Sequence, residues 1–244
     1  MRIDLVDFIE EIHVATRVVG ADVLRITQND DGLEVRAVDS DRTIVAVGRF
    51  GGRLEGGDGV WGIENVPAVH RFLTACRKDG GDVTAVLETD GETPVRLRIA
   101  SADESVDASI VLVAEEALPA LLRVPNVRWT KSVDVERSGW DRMRRIVAGG
   151  LVRDLVVAFE RVDDSVVAVV GDPGYTYVRI RLASGDPGAS VDGKWDARQL
   201  SGVLEASLRK DRTGCGLMFT RGALRVVAPA ETVSWEYVLP ALNL

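Results

Sequence analysis

Histidine and cysteine are nearly missing from this 244-residue sequence, which has two of each. His13 and His70 stand far apart, so no Cys/His cluster has the spacing of a metal site. Cys76 falls on the apolar face of a predicted helix, and Cys215 sits between two glycines at a predicted strand start. Two such cysteines suit a reducing compartment and are read as unpaired. No apolar run reaches the roughly 18 residues that span a bilayer. The opening residues, Met1-Arg-Ile-Asp-Leu-Val-Asp, carry acids where a signal peptide is basic and then apolar. The expectation is a protein that stays where it is made and meets no membrane. Catalytic signals are missing as well: there is no Ser/His/Asp set and no carboxylate pair in a motif. The one glycine-dense stretch, Gly51-Gly-Arg-Leu-Glu-Gly-Gly-Asp-Gly59, lacks the Gly-Lys-Ser/Thr of a phosphate loop running into a helix. We therefore expect no enzyme, no metal and no cofactor.

What remains is a soluble composition, 46% apolar and 28% charged, with a net charge of −8. The length suits one large or two medium domains. Residues 5–19 carry a helical apolar face of Leu5, Phe8, Ile9, Ile12, Thr16 and Val19. A hairpin, Val23–Gln28 with Leu33–Val38, turns at Asn29-Asp-Asp-Gly32 and is followed by a strand at Thr43–Phe50. Pro67 fits the first turn of a second helix with Val69, Phe72, Leu73 and Cys76 inward. Strands near Val83–Glu88, Val95–Ala100 and Val106–Val113 end this series.

Residues 114–131 hold two prolines and no sustained period, a connector rich enough in apolar residues to dock on a surface. The series then restarts with a strand at Ser132–Val135 and a helix over 137–149. A hairpin of Leu155–Arg161 with Ser165–Gly171 follows, then a strand at Tyr175–Leu182. The last helix covers Ala197–Lys210, with Leu200, Val203, Leu204 and Ser207 inward and Arg198, Ser201, Glu205 and Arg209 outward. Strands at Leu217–Thr220, Ala223–Val227 and Trp235–Leu239 finish it. A duplication of this size argues for two like domains, 1–113 and 132–244. Each is an α+β layer with two helices on one face of antiparallel sheets.

Charge is uneven over the four helices. In the third, Arg137, Arg142, Arg144 and Arg145 stand against Asp141, a net +3; Trp140, Met143 and Val147 share its apolar side, with Arg142 and Arg145 opposite. The second has Arg71, Arg77 and Lys78 and no acid, and the fourth has Arg198, Arg209 and Lys210 against Glu205. The first is acidic, with Arg17 its only cation beside Asp7, Glu10 and Glu11. Basic helices in an acidic chain point to a polyanion, because local potential steers a partner. A solvated face with a few ion pairs is the plainer reading of any one helix. No aromatic is placed on the polar faces to stack a base, so duplex phosphates without sequence preference fit best.

Three segments carry a resemblance. Leu33-Glu-Val-Arg-Ala-Val-Asp-Ser-Asp-Arg-Thr-Ile-Val-Ala looks like the strand and loop after the first hairpin of the DNA polymerase sliding clamps, the proliferating cell nuclear antigen family. Leu122-Arg-Val-Pro-Asn-Val-Arg-Trp129 is similar to that family's Leu-Gly-Ile-Pro linker, and Tyr237-Val-Leu-Pro-Ala241 resembles its closing strand. The acidic first helix departs from the lysine-bearing helix usual there. The resemblance implies a closed trimeric ring of six DNA-clamp domains that encircles duplex DNA, helices inward, and tethers a replicative polymerase. A clamp-loader ATPase is a further implied partner. By position Arg142 and Arg145 match inner-wall basic residues, while Arg71, Lys78, Arg198 and Arg209 follow from helical phase, with Arg17 and Lys210 as two further helix cations assigned to DNA. The implied peptide pocket comprises Val38, Val45, Leu122, Val124, Pro125, Trp129, Leu239, Pro240 and Ala241. Ring closure would pair the strand bearing Ser109, Ile110 and Val111 with the strand bearing Tyr177, Val178 and Ile180 of the next subunit. A clamp-fold accessory protein or hetero-ring subunit shares these periodicities. The implied location is a bacterial or phage-infected cytoplasm, or a eukaryotic nucleus.

Overall fold

The computed structural model describes residues 1–39, 44–77, 82–103, 105–120, 127–188, 191–209 and 214–242. The chain forms two compact units, Met1–Leu122 and Arg123–Leu244. The first opens with α1 (Leu5–Arg17), whose N-cap Asp4 accepts hydrogen bonds from the Val6 and Asp7 amides. Phe8, Ile9, Ile12, Ala15 and Thr16 are buried, the stripe expected of its 3.6-residue period. Strands β1 (Val23–Asn29), β2 (Gly32–Val38), β3 (Val45–Phe50), β4 (Gly59–Glu64) and β8 (Val113–Ala114) make a sheet in the order β3-β2-β1-β4-β8. A second sheet orders β5 (Val83–Asp90), β6 (Thr93–Ser101) and β7 (Asp107–Val111) side by side. The second helix, α2 (Val66–Cys76), packs against α1 and β6.

In the second unit one sheet runs β13 (Lys194–Asp196), β10 (Val156–Val162), β11 (Ser165–Gly171), β12 (Tyr177–Ser184), β9 (Val133–Val135), β14 (Gly216–Thr220), β15 (Ala223–Ala228), β16 (Val233–Pro240). Helices α3 (Arg137–Ala148) and α4 (Ala197–Ser207) pack on each other, on β12 and on β15. Trp195, Phe159 and Phe219 cluster in its core, with ring centroids 5.1 to 6.3 Å apart. Among the described residues no helix is long and apolar enough to cross a membrane.

Several elements differ from the sequence reading. β4 was not expected, because glycine opens it and disfavours a strand. Its Trp61 and Ile63 are nonetheless buried, and the backbone at Gly62 lies where a Cβ would strike Leu24 and Leu118. β13 has three residues, too short for a period to show, yet it buries Trp195. The strand expected at Val106–Val113 splits at Leu112 into β7, paired with β6, and β8, paired with β4. Phe72, expected inward, is 44% exposed, for it lies at the rim of the stripe made by Val69, Leu73 and Cys76. Ser201, expected outward, is buried because α4 has both α3 and the sheet as neighbours. The last helix ends at Ser207, so Arg209 stands beyond it and is half-buried.

Both cysteines are free and buried. Burial raises the Cys76 thiol and holds that of Cys215 up at about 12, so neither is a thiolate at neutral pH. The glycine-dense stretch turns out to be packing. Met1 and Ile3 hydrogen-bond to Arg53, and a Cβ at Gly52 would collide with the Met1 carbonyl. Gln28 closes the loop by donating to the Leu54 carbonyl and accepting from the Leu54 amide.

Candidate nucleic-acid interface

The arginine-rich helix α3 sits on β12 through Gly139, where a Cβ would meet the Arg181 carbonyl and come within 3.0 Å of the Leu182 Cα. Glu136 precedes the helix without a side-chain cap; its carboxylate instead accepts from Arg181 Nε at 3.1 Å. Met143 is fully buried and Trp140 is 8% exposed, which turns Arg142 and Arg145 to solvent. The four arginines divide. Arg137 donates to the Leu208 carbonyl, and Arg144 lies 5.4 Å over the Trp140 ring. Arg145 Nε donates to its own helix at Asp141 O, 3.2 Å, and Arg142 makes no ion pair among the described residues.

On the other helices, Arg198 is exposed in the first turn of α4, capped by Asp196. Arg71 and Arg17 are exposed on α2 and α1. Arg77, at the end of α2, is neutralised by Glu10 of α1. Arg209 is half-buried and engaged. Lys78 and Lys210 lie outside the described residues.

One contrast runs through the described residues. Of the strand arginines, Arg25, Arg36, Arg49, Arg98, Arg161, Arg179, Arg181 and Arg225 all pair with a carboxylate; only Arg96 does not, and it reaches the Ser109 hydroxyl. Of the helix arginines, Arg17, Arg71, Arg137, Arg142, Arg144, Arg145 and Arg198, none does. Exposed pairs add little stability, but they cancel field. The strand arginines are therefore largely neutralised, and the arginines within the helices keep their charge. Sequence counts by helix could not show which cations were already engaged.

The residues expected to form a peptide pocket fall in both units. Val38 and Val45 face each other across β2 and β3, half-buried. In the second unit Leu239 is buried, Pro240 exposed and Ala241 half-buried, its amide donating to Gly222 O. Trp129 is half-buried, with the Arg225 guanidinium 5.8 Å over its ring, and Thr130 is tied to Phe219 by backbone and side-chain hydrogen bonds. Leu122, Val124 and Pro125 lie outside the described residues.

The two strands expected at a subunit interface each present an open side. β7 pairs with β6 alone among the described residues, and its Val111 is 65% exposed beside exposed Ser109 and half-buried Ile110. β12 pairs with β11 along its length and with β9 only at Ala183 and Ser184. Tyr177 is 46% exposed, Val178 half-buried, and Ile180 buried in its own core. Among the described residues no group of three or more His, Cys, Asp or Glu side chains could hold a metal ion.

No protein-family model matches this sequence, and no curated protein matches it. Solved structures do. A. fulgidus PCNA, with the C-terminal region of FEN-1 bound, aligns over 99% of this chain and 97% of its own, at TM-score 0.72 and 12% identity. PCNA from Thermococcus kodakaraensis aligns over 98% of each chain, at TM-score 0.69 and 15% identity. Proliferating Cellular Nuclear Antigen from Entamoeba histolytica covers 97% of this chain and 94% of its own, at TM-score 0.67 and 11% identity. At such low identity the shared element is architecture, and that extends from one end of the chain to the other. The chain has the two-unit α+β fold of the PCNA-type sliding clamps.

Proposed function

We propose that this protein is a processivity factor: three copies close into a ring that encircles duplex DNA without sequence preference and tethers a replicative polymerase and other DNA-processing partners. The observation that carries this reading is the segregation of charge, with arginines paired on strands and unpaired on helices. A wall of mobile, hydrated arginines lowers the cost of enclosing a polyanion without fixing a register, as sliding requires. In this reading Arg142 and Arg145 lead, and Arg71, Arg198 and Arg17 are the further phosphate contacts. The role needs no catalytic group, metal or cofactor in the chain itself.

Ring closure would use the open sides of β7 and β12, since an unpaired strand edge recruits another strand and head-to-tail contacts can close. Residues 114–131 would serve as the connector between clamp domains 1–113 and 132–244. Its end at Trp129 and Thr130, with Leu239 to Ala241 of the same unit, would border a site for short partner peptides with apolar anchors, and Val38 and Val45 are proposed as further peptide contacts. The FEN-1 segment bound to the A. fulgidus protein supports a peptide partner on this fold. A clamp-loader ATPase would open the ring. Mass in solution tests the core of this reading. Light scattering is expected to give three copies of the 26.4-kDa chain, and proline at Ile110 or Ile180, which removes a ladder donor, to give monomers. A single chain, or a ring formed only with a different subunit, would replace the homotrimer with an accessory role.

A further inference from the structure

Unit 1 contains a cluster that the charge pattern above does not use. His13 of α1 and His70 of α2 lie face to face, ring centroids 3.8 Å apart and planes 7° from parallel. Both are half-buried at the seam where the two helices pack. Rings stacked flat do not converge their nitrogens on one point, so the pair does not chelate a metal. Arg17, one turn beyond His13, is exposed and unpaired, and its charge is felt at the imidazole. Farther along the seam Glu10 and Arg77 are bound to each other. On the other side of α1 the strand β5 turns only uncharged groups inward, Ala85 and Leu87. Among the described residues the stack therefore has a cation beside it and no carboxylate bonded to either ring, since Glu10, one turn before His13, is taken up by Arg77.

We propose that the His13–His70 stack, with Arg17, is a proton-dependent phosphate contact of unit 1, carrying one imidazolium when a duplex phosphate lies over the α1–α2 seam. It rests on the DNA-facing reading of the helices. Two imidazolium rings 3.8 Å apart repel, so the stack takes one proton, and an incoming phosphate supplies the counter-charge the protein lacks. The acidic α1 thus gains a cation only where DNA is present. Without DNA, burial first, then His70 and Arg17, lower His13 below its ordinary value.

The chain has two histidines, so their ring proton signals in an NMR titration report nothing else. The full-length protein is titrated over pH 5 to 8 alone, with a short duplex, and with inorganic phosphate. The duplex should raise the apparent pKa of the pair, and duplex affinity should depend more steeply on salt at pH 5.5 than at pH 8, by about 0.9 in the log–log slope per added phosphate contact. His13→Gln with His70→Gln should abolish the difference in slope while the thermal midpoint at pH 8 shows a folded protein. Duplex binding that leaves both histidines unmoved overturns the inference alone. A shift caused by inorganic phosphate but not by the duplex also overturns it, for the site would take free anions. No duplex binding at any pH, with Arg142→Glu/Arg145→Glu indistinguishable from wild type, overturns the DNA-facing reading together with it.

Discussion

The two units repeat one order of elements and differ in how they use charge between their helices. In unit 1 the α1–α2 seam holds an ion pair, Glu10 with Arg77, and a histidine stack. In unit 2 the α3–α4 contact holds Arg137 on a backbone carbonyl and leaves Arg142, Arg145 and Arg198 to solvent. A helix that spends an acid on its neighbour neutralises that neighbour's cation at the surface, and α1 does this where α3 does not. The sheets differ in step. In unit 2 the short β9 joins β12 to β14 and makes one sheet continuous. In unit 1 the chain start makes a single bridge, Arg2 to Arg53, and a cleft of about 270 Å³ lined by Ile3, Ala85 and Leu87 separates it from β5. Three residues of strand suffice to fuse two sheets, and their absence leaves a gap.

The comparison breaks first at Gly139. An added methyl there meets the backbone of β12, which cannot move aside like a flexible side chain. Gly139→Ala is expected to destabilise unit 2 by about 1–3 kcal/mol, outweighing the gain in helix propensity. Chemical denaturation with Trp140 and Trp195 as probes measures it. An unchanged midpoint would mean that α3 does not sit on β12 as described.

A smaller effect sharpens the comparison from the side of unit 1. Because His13 is lowered in the folded protein, the unfolded chain binds more protons below pH 6.5. Stability without DNA should therefore be full above that pH and decline as pH falls toward the folded value of His13. His70→Gln should flatten the decline by removing one of its causes. A profile identical in wild type and His70→Gln would show that the stack does not couple to folding.

Periodicity carried much of this molecule into view. At 100° per residue, Trp140 and Met143 fall on one side of α3, which is enough to place Arg142 and Arg145 on the exposed side, and hairpin turns such as Asn29-Asp-Asp-Gly32 mark the ladders. Tertiary pairing was not legible. Nothing local links Glu10 to Arg77, or His13 to His70, across more than fifty residues. Phe72 and Ser201 failed for the same reason: a helical wheel gives the centre of a buried stripe, and neighbouring elements set its width. Glycine in β4 and the three-residue length of β13 mask the strand period, and Trp61 and Trp195 are buried only by tertiary packing.

The central claim is that unpaired helix arginines meet duplex phosphates without reading bases. It is tested most directly by the salt dependence of duplex binding, measured for wild type, Arg142→Ala/Arg145→Ala and an Arg221→Ala control at the exposed β14–β15 turn. Wild type should show the same slope on unrelated sequences, and the double variant should lose about 0.9 of slope for each phosphate contact removed. The control should match wild type, and all three should keep the same mass. An unchanged slope and affinity in the double variant, or a slope that depends on sequence, would contradict the claim.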